Sequence, residues 1–203
     1  MAASYSRRTT LGTLRARLRL LWKARRSGSV VRWPIRLPQA SAPDPASRIE
    51  IGRDTYVSAR AWFSFSSPDG RIRIGSGCVI GESLTISCGG SVTIGDGTGI
   101  GERATIVDQH HDPESWLRPA LEAGVAPHWG WETRDAHPVS IGNGCWLGVN
   151  VVVMPGVTIG DGCVIGANSV VTTDIPPYSL AAGMPATVIR SFRDDPGEPV
   201  TTP

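Results

Sequence analysis

The 203-residue chain has no apolar run near the roughly 20 residues that a membrane-spanning helix requires. Its N-terminus also lacks an apolar stretch followed by a small-residue cleavage site, so a cytoplasmic protein is the expectation. Charged residues are scarce at 19%, too few for long surface helices. The four cysteines (Cys78, Cys88, Cys145 and Cys163) form no C-x-x-C pair, which points away from a zinc knuckle and from a redox dithiol. No Gly-x-Ser-x-Gly turn occurs, so an elbow-mounted serine nucleophile is absent. Acidic residues are missing from positions 1–36, which hold ten Arg and Lys. With 20 basic and 18 acidic residues in all, the remainder of the chain carries a formal charge of −8. Such a basic arm can meet anionic lipid, an acidic polymer, nucleic acid or the acidic body itself. Nucleic acid is not the expected partner.

What the chain has in abundance is turn formers, 24 Gly and 16 Pro, and a length sufficient for one core without disulfides or metals. Aliphatic residues recur at every sixth position in three phased blocks. The first is Ile74, Ile80, Ile86; the second Ile94, Ile100, Ile106; the third Ile141, Leu147, Val153, Ile159, Ile165, Val171, with Ile51 and Val57 as an earlier rung. Nine of these fourteen are followed directly by Gly, which suits a chain that bends sharply because Gly adopts backbone conformations costly to other residues. The fourth residue after each aliphatic is small or apolar, as at Thr55, Ala61, Cys78, Thr98, Ala104, Cys145, Val151, Val157, Cys163 and Ser169. Three of the four cysteines therefore read as packing residues in an inward slot. Three six-residue strands per turn give a coil of about 18 residues, and stacked coils bury a continuous column as a triangular prism. Periodicity does not supply its handedness.

The repeats, above all PVSIGNGCWLGVNVVVMPGVTIGDGCVIGANSVVTTDIPPYSLAAGMPATVIR from Pro138 to Arg190, resemble the hexapeptide-repeat acetyltransferases, in particular the galactoside, maltose and nodulation-factor O-acetyltransferases and those of polysaccharide biosynthesis. The resemblance spans roughly residues 49–192. It implies an all-β, left-handed parallel β-helix, a homotrimer, and acetyl-CoA held as co-substrate between neighbouring prisms, with no metal. On that frame residues 1–48 are a basic arm, 49–176 the β-helix with an inserted loop at 112–138, 177–192 a C-terminal hairpin and 193–203 a frayed tail. Residues 9–27 place Leu11, Leu14, Leu18 and Leu21 at helical spacing between arginines, an amphipathic helix that packs on the prism or lies on an anionic membrane.

The ladder breaks between Ile106 and Ile141, where Trp116, Trp129 and Trp131 and all four histidines (His110, His111, His128, His137) lie in or beside the insertion. Histidine is the side chain best suited to act as a base near neutral pH. In the six-residue frame begun at Ile106, His110 falls inward and His111 outward, and ATIVDQHHD resembles the stretch where the family places its catalytic histidine. His111 is thus the candidate general base. Asp108, or failing that Asp112, is the carboxylate expected to orient it. The resemblance implies CoA contacts at Gly148, Ala167 and Thr172, a phosphate contact at Arg190, and Trp146 beside the thiol end. The Gly89-Gly90 doublet reads as a phase slip without chemistry. Gly81, Cys88 and Gly89 stand where the galactoside enzyme has its acceptor-side Asn and Asp, so galactosides are not implied. Trp62, Phe63 and Phe65 either shape the acceptor end or pack the coil. Two other readings stay open, a γ-carbonic-anhydrase-like zinc enzyme and a non-catalytic scaffold or lipid-surface binder.

Overall fold

The computed structural model describes residues 11–37, 44–126 and 135–193. Their strands form one eight-stranded and two five-stranded sheets, parallel throughout except for one C-terminal hairpin. Ile74, Ile80 and Ile86 lie in three different sheets, and each pairs with the residue one coil on: Ile94, Ile100 and Ile106. Those pair in turn with Ile141, Leu147 and Val153, so the insertion loops out without disturbing the stack. The result is a left-handed parallel β-helix. Its first face holds strands such as Arg71–Ile74 and Val139–Ile141, its second Val79–Ile80 and Trp146–Leu147, and its third Thr85–Cys88 and Thr105–Val107.

The six-residue ladder is the core. Thirteen of its fourteen positions are at most 2% exposed, and Ile51 in the first coil is half-buried. The ten small slots are equally covered. Each aliphatic side chain so buried contributes about 1.5–3 kcal/mol. The polar members are satisfied between coils: the Thr55 hydroxyl donates to Gly75 O at 2.7 Å and accepts from Cys78 N, and Thr98 does the same with Gly142 O and Cys145 N.

The glycines that follow the aliphatics have a different cause from the one their pattern suggests. None of the nine has a positive φ; left-handed backbone falls two residues further on, at Gly77, Gly97, Gly144 and Gly162, and at non-glycine positions such as Asn150 and Asn168. The nine are small because the coils touch there. A Cβ on Gly95 would sit 2.5 Å from the carbonyl carbon of Gly142, and one on Gly101 2.6 Å from the amide nitrogen of Val149.

The N-terminal helix α1 (Leu11–Arg26) closes the first coil. Its buried face is Ala16, Leu20 and Ala24, the first two in one core cluster with Ile35 and Ile49, and not the expected leucine stripe: Leu14 and Leu18 are exposed and Leu21 is half-buried. The two alanines let the helix axis approach the prism, which bulkier leucines would prevent. A 3₁₀ turn at Pro45–Arg48, capped by Asp44 accepting from Ala46 N, then leads into the first strand. The insertion is not wholly loop. It carries a second helix, α2 (Pro113–Glu122). At the far end Ser179–Gly183 and Ala186–Ser191 pair antiparallel.

The two kinds of glycine make opposite predictions. Gly101→Asn should lower stability by about 1–3 kcal/mol or prevent folding, because backbone atoms of the next coil cannot yield. Gly77→Asn, with open space around its Cβ and φ +65, should change stability by less than about 1 kcal/mol, since Asn tolerates the left-handed region. Urea denaturation midpoints of the two variants check this.

Candidate active site

Thr105–Val107 is the middle strand of the third face, and after it the chain leaves the prism. In a strand alternate residues face inward, so Ile106 and Asp108 point in while Val107 points out. Asp108 is completely buried, one coil beyond Cys88, which itself pairs beyond Phe65. The frame of six therefore stops short of the histidines, and His110 and His111 are both exposed. The inward place expected for His110 does not exist.

Asp108 is buried rather than at a coil edge, and both of its carboxylate oxygens meet the backbone. Its Oδ1 accepts from Gly89 N at 2.7 Å and its Oδ2 from Gly90 N at 2.8 Å, with the Cys88 thiol 3.5 Å away. Its carbonyl accepts from His137 N at 2.7 Å. The residue thus clamps the neck of the insertion, joining the last residue of the outgoing strand, the first residues of the returning segment and the coil below. Gly89-Gly90, which the pattern left without chemistry, supplies the amides. A Cβ on Gly90 would lie 3.0 Å from the Ala136 Cβ, so it is the returning segment, packed over the doublet, that keeps this position small. A doublet of glycines next to an inward acidic position was the available signal.

The histidines gather at that neck. The rings of His110 and His137 are 6.3 Å apart at 57°. His111 lies next to Asp112, whose side chain caps α2 by accepting from Glu114 N at 3.1 Å. Beside them Gln109 donates to the Ser87 hydroxyl and its carbonyl oxygen accepts from Ser66, a polar shelf that periodicity does not reveal. His128, Trp129 and Trp131 lie outside the described residues. Among the described residues no group of three or more His, Cys, Asp or Glu is placed to hold a metal ion.

The thiols are unsuited to attack. All four are free and buried, and Cys78, Cys145 and Cys163 donate to carbonyls of neighbouring coils at 3.0–3.2 Å. Burial, then the Asp108 carboxylate, push Cys88 up to about 12, and burial also raises Cys78 and Cys145.

The residues expected at the CoA side fall elsewhere on the prism. Trp146 is exposed on the second face, its indole over Gly99, where a Cβ would lie 2.6 Å from the ring. Gly148 and Ala167 stack on the edge after that face, a Gly148 Cβ falling 2.6 Å from Ala167 N. Arg190 is on the last strand of the second face, its guanidinium 5.7 Å from the Phe192 ring. Thr172 is exposed on the edge that also bears the insertion. One chain therefore brings together His110, His111, His137 and Asp108, but not these with Trp146, Gly148 and Ala167. Phe63 is core, Phe65 lies under the Arg48 guanidinium at 4.0 Å, and only Trp62 of that group is exposed.

Residues 138–173 match the family described as bacterial transferase hexapeptide (six repeats). Over 144 residues the chain is 39% identical to the galactoside O-acetyltransferase of Escherichia coli, covering 71% of this chain and 64% of that protein, somewhat less than two thirds of its length. Among solved structures it is similar to the N-acyltransferase AntD of Bacillus cereus with dTDP-4-amino-4,6-dideoxyglucose and coenzyme A, at TM-score 0.65, 17% identity and 81% of each chain. It is also similar to the hexapeptide-repeat acetyltransferase VCA0836 of Vibrio cholerae with acetyl coenzyme A, at TM-score 0.51, 22% identity and 90% of each chain.

If Asp108 is the clamp, Asp108→Ala strands two amides in the interior. The variant should lose about 1.5–3 kcal/mol in chemical denaturation, the range for hydrogen bonds to a charged group. Unchanged stability would mean the amides find water instead. Over residues 138–173 the chain carries the hexapeptide repeat of the bacterial transferases, and the same six-residue ladder continues through the other coils of the prism.

Proposed function

We propose that the protein is an acetyl-CoA-dependent O-acetyltransferase acting on a hydroxyl of a sugar or glycan precursor. The observation that carries the reading is the exposed His111 at the mouth of the insertion, on a prism whose four thiols are all turned inward. The identity to a galactoside O-acetyltransferase, higher than that to the N-acyltransferase, favours oxygen over nitrogen as the acceptor atom.

His111 takes the proton of the acceptor hydroxyl as its oxygen attacks the acetyl carbonyl. The carbon–sulfur bond then breaks, and the proton passes from His111 to the leaving thiolate, so that an ester and free CoA result without an enzyme-bound acyl group. Backbone amides of the cleft stabilise the oxyanion. Asp108 acts here through the backbone, by holding the neck that carries His111. Gly148, Ala167 and Thr172 line the pantetheine arm, where small side chains leave the coil edge open to hydrogen bonding, Trp146 borders its thiol end, and Arg190 meets a CoA phosphate. Acetyl-CoA as co-substrate and four reduced thiols suit the cytoplasm.

His111 and the Trp146–Gly148–Ala167 group occupy different edges of one prism, so a complete site needs a second chain. A homotrimer supplies it, the insertion edge of one prism facing the second face of the next. Val79 and Trp146 stand exposed on that face with Val164 and Leu180 half-buried in the same row, an apolar strip suited to cover.

His111→Ala should lower turnover by roughly 10²–10⁴ and leave CoA affinity near that of the parent, followed as CoA release with a panel of glycosides and amino sugars. His110→Ala with the larger loss would reassign the base, and turnover confined to amino sugars would replace O- by N-transfer. Light scattering should give three chains per particle; an active monomer overturns the trimer.

A further inference from the structure

Helix α1 has two apolar faces, and the fold uses one of them. Ala16, Leu20 and Ala24 are sealed against the prism. Leu14, Leu18 and Trp22, at the same four-residue spacing, are 41%, 54% and 58% exposed. At 3.6 residues per turn the two rows lie on roughly opposite sides of the helix. The outer row therefore points away from the body that the inner row grips.

The surroundings of that row select its partner. Six cations, Arg15, Arg17, Arg19, Lys23, Arg25 and Arg26, lie on the helix, and it contains no acidic residue. Of these six, Arg19 alone is ion-paired with a described residue, Asp44 at 2.7 Å. The other five cations form no ion pair with a described residue of their own chain. Arg26 stacks 4.2 Å from the Trp22 ring and Arg17 5.4 Å from that of Trp33, which is itself exposed at the same end of the molecule. An apolar stripe rimmed by cations, with indoles at its border, fits a surface that is apolar beneath and anionic on top. A second copy of the same helix would bring like charges together.

We propose that the outer face of α1, built on Leu14, Leu18 and Trp22 and carrying Arg15, Arg25 and Arg26, lies on an anionic lipid bilayer, while Lys23 is turned to the body and donates to Ala46 O. The helix runs parallel to the membrane plane, too short and too charged to cross it. Because its inner face is fixed to the first coil, adsorption sets the direction of the prism axis relative to the bilayer, which a flexible basic tail would not do. The surface is independent of the acyl-transfer reading.

The test is co-sedimentation of the full chain with phosphatidylglycerol–phosphatidylcholine vesicles, about one third anionic, and with phosphatidylcholine alone. Binding should require the anionic lipid and weaken at least tenfold between about 0.02 M and 0.5 M salt. Leu18→Ser/Trp22→Ser should reduce it about tenfold or more, and Arg15→Gln/Arg26→Gln about 10- to 30-fold, with the oligomer in light scattering and the activity on a soluble acceptor unchanged. Absence of vesicle binding, or equal binding to neutral vesicles, overturns the proposal. So does a Leu18→Ser/Trp22→Ser variant whose oligomer dissociates while the parent ignores vesicles, since the stripe is then covered by another chain.

Discussion

The parallel hydrogen bonding between stacked coils fixes a strand spacing of about 4.8 Å, and this spacing governs the molecule. Side chains on the flat faces fit within it because each sits directly over its counterpart, Ile80 over Ile100 and Ile100 over Leu147. At the edges the chain turns and its backbone comes nearer to the next coil than a methyl group allows, so the residue entering the turn is glycine at Gly95, Gly101 and Gly148. The same closeness brings the Gly89 and Gly90 amides within reach of a carboxylate from the next coil. Core, corner and clamp follow from one distance.

The face that each ladder residue presents was legible from sequence because the period of six is an arithmetic property of the chain. It predicts the inward places of Ile86, Cys145 and Ser169 alike. The cause of the corner glycines was not, since a pattern of single residues does not distinguish a torsional need from a contact with a residue 47 positions away, as between Gly95 and Gly142. The position of Asp108 is hidden for a related reason. Beyond Ile106 the frame of six no longer holds, because the strand's own alternation of two takes over where the chain departs, and it is Asp108 rather than His110 that turns inward. In α1 the leucines carry the sequence signal while Ala16 and Ala24 carry the burial, because hydrophobicity and burial diverge where close approach favours a small side chain.

The candidate site is similarly divided. Its basic groups are brought together by local structure: the clamp at the neck, the cap of α2 at Asp112, and the short return to His137. Trp146, Gly148 and Ala167 are brought together by stacking on another side of the prism. Sequence names both groups, but their mutual placement depends on how prisms associate, which periodicity within one chain does not encode.

A column of parallel strands has no intrinsic length. Each terminal coil offers the same row of donors and acceptors that binds any other coil, so an uncovered end would accept a further chain and the product would be a fibre. Here the first coil meets α1 and the 3₁₀ turn at Pro45–Arg48, and the last strand of the eight-stranded sheet runs in reverse. The helix covers the start of the stack, and at the far end the reversed strand breaks the parallel register that one more coil in the eight-stranded sheet would need.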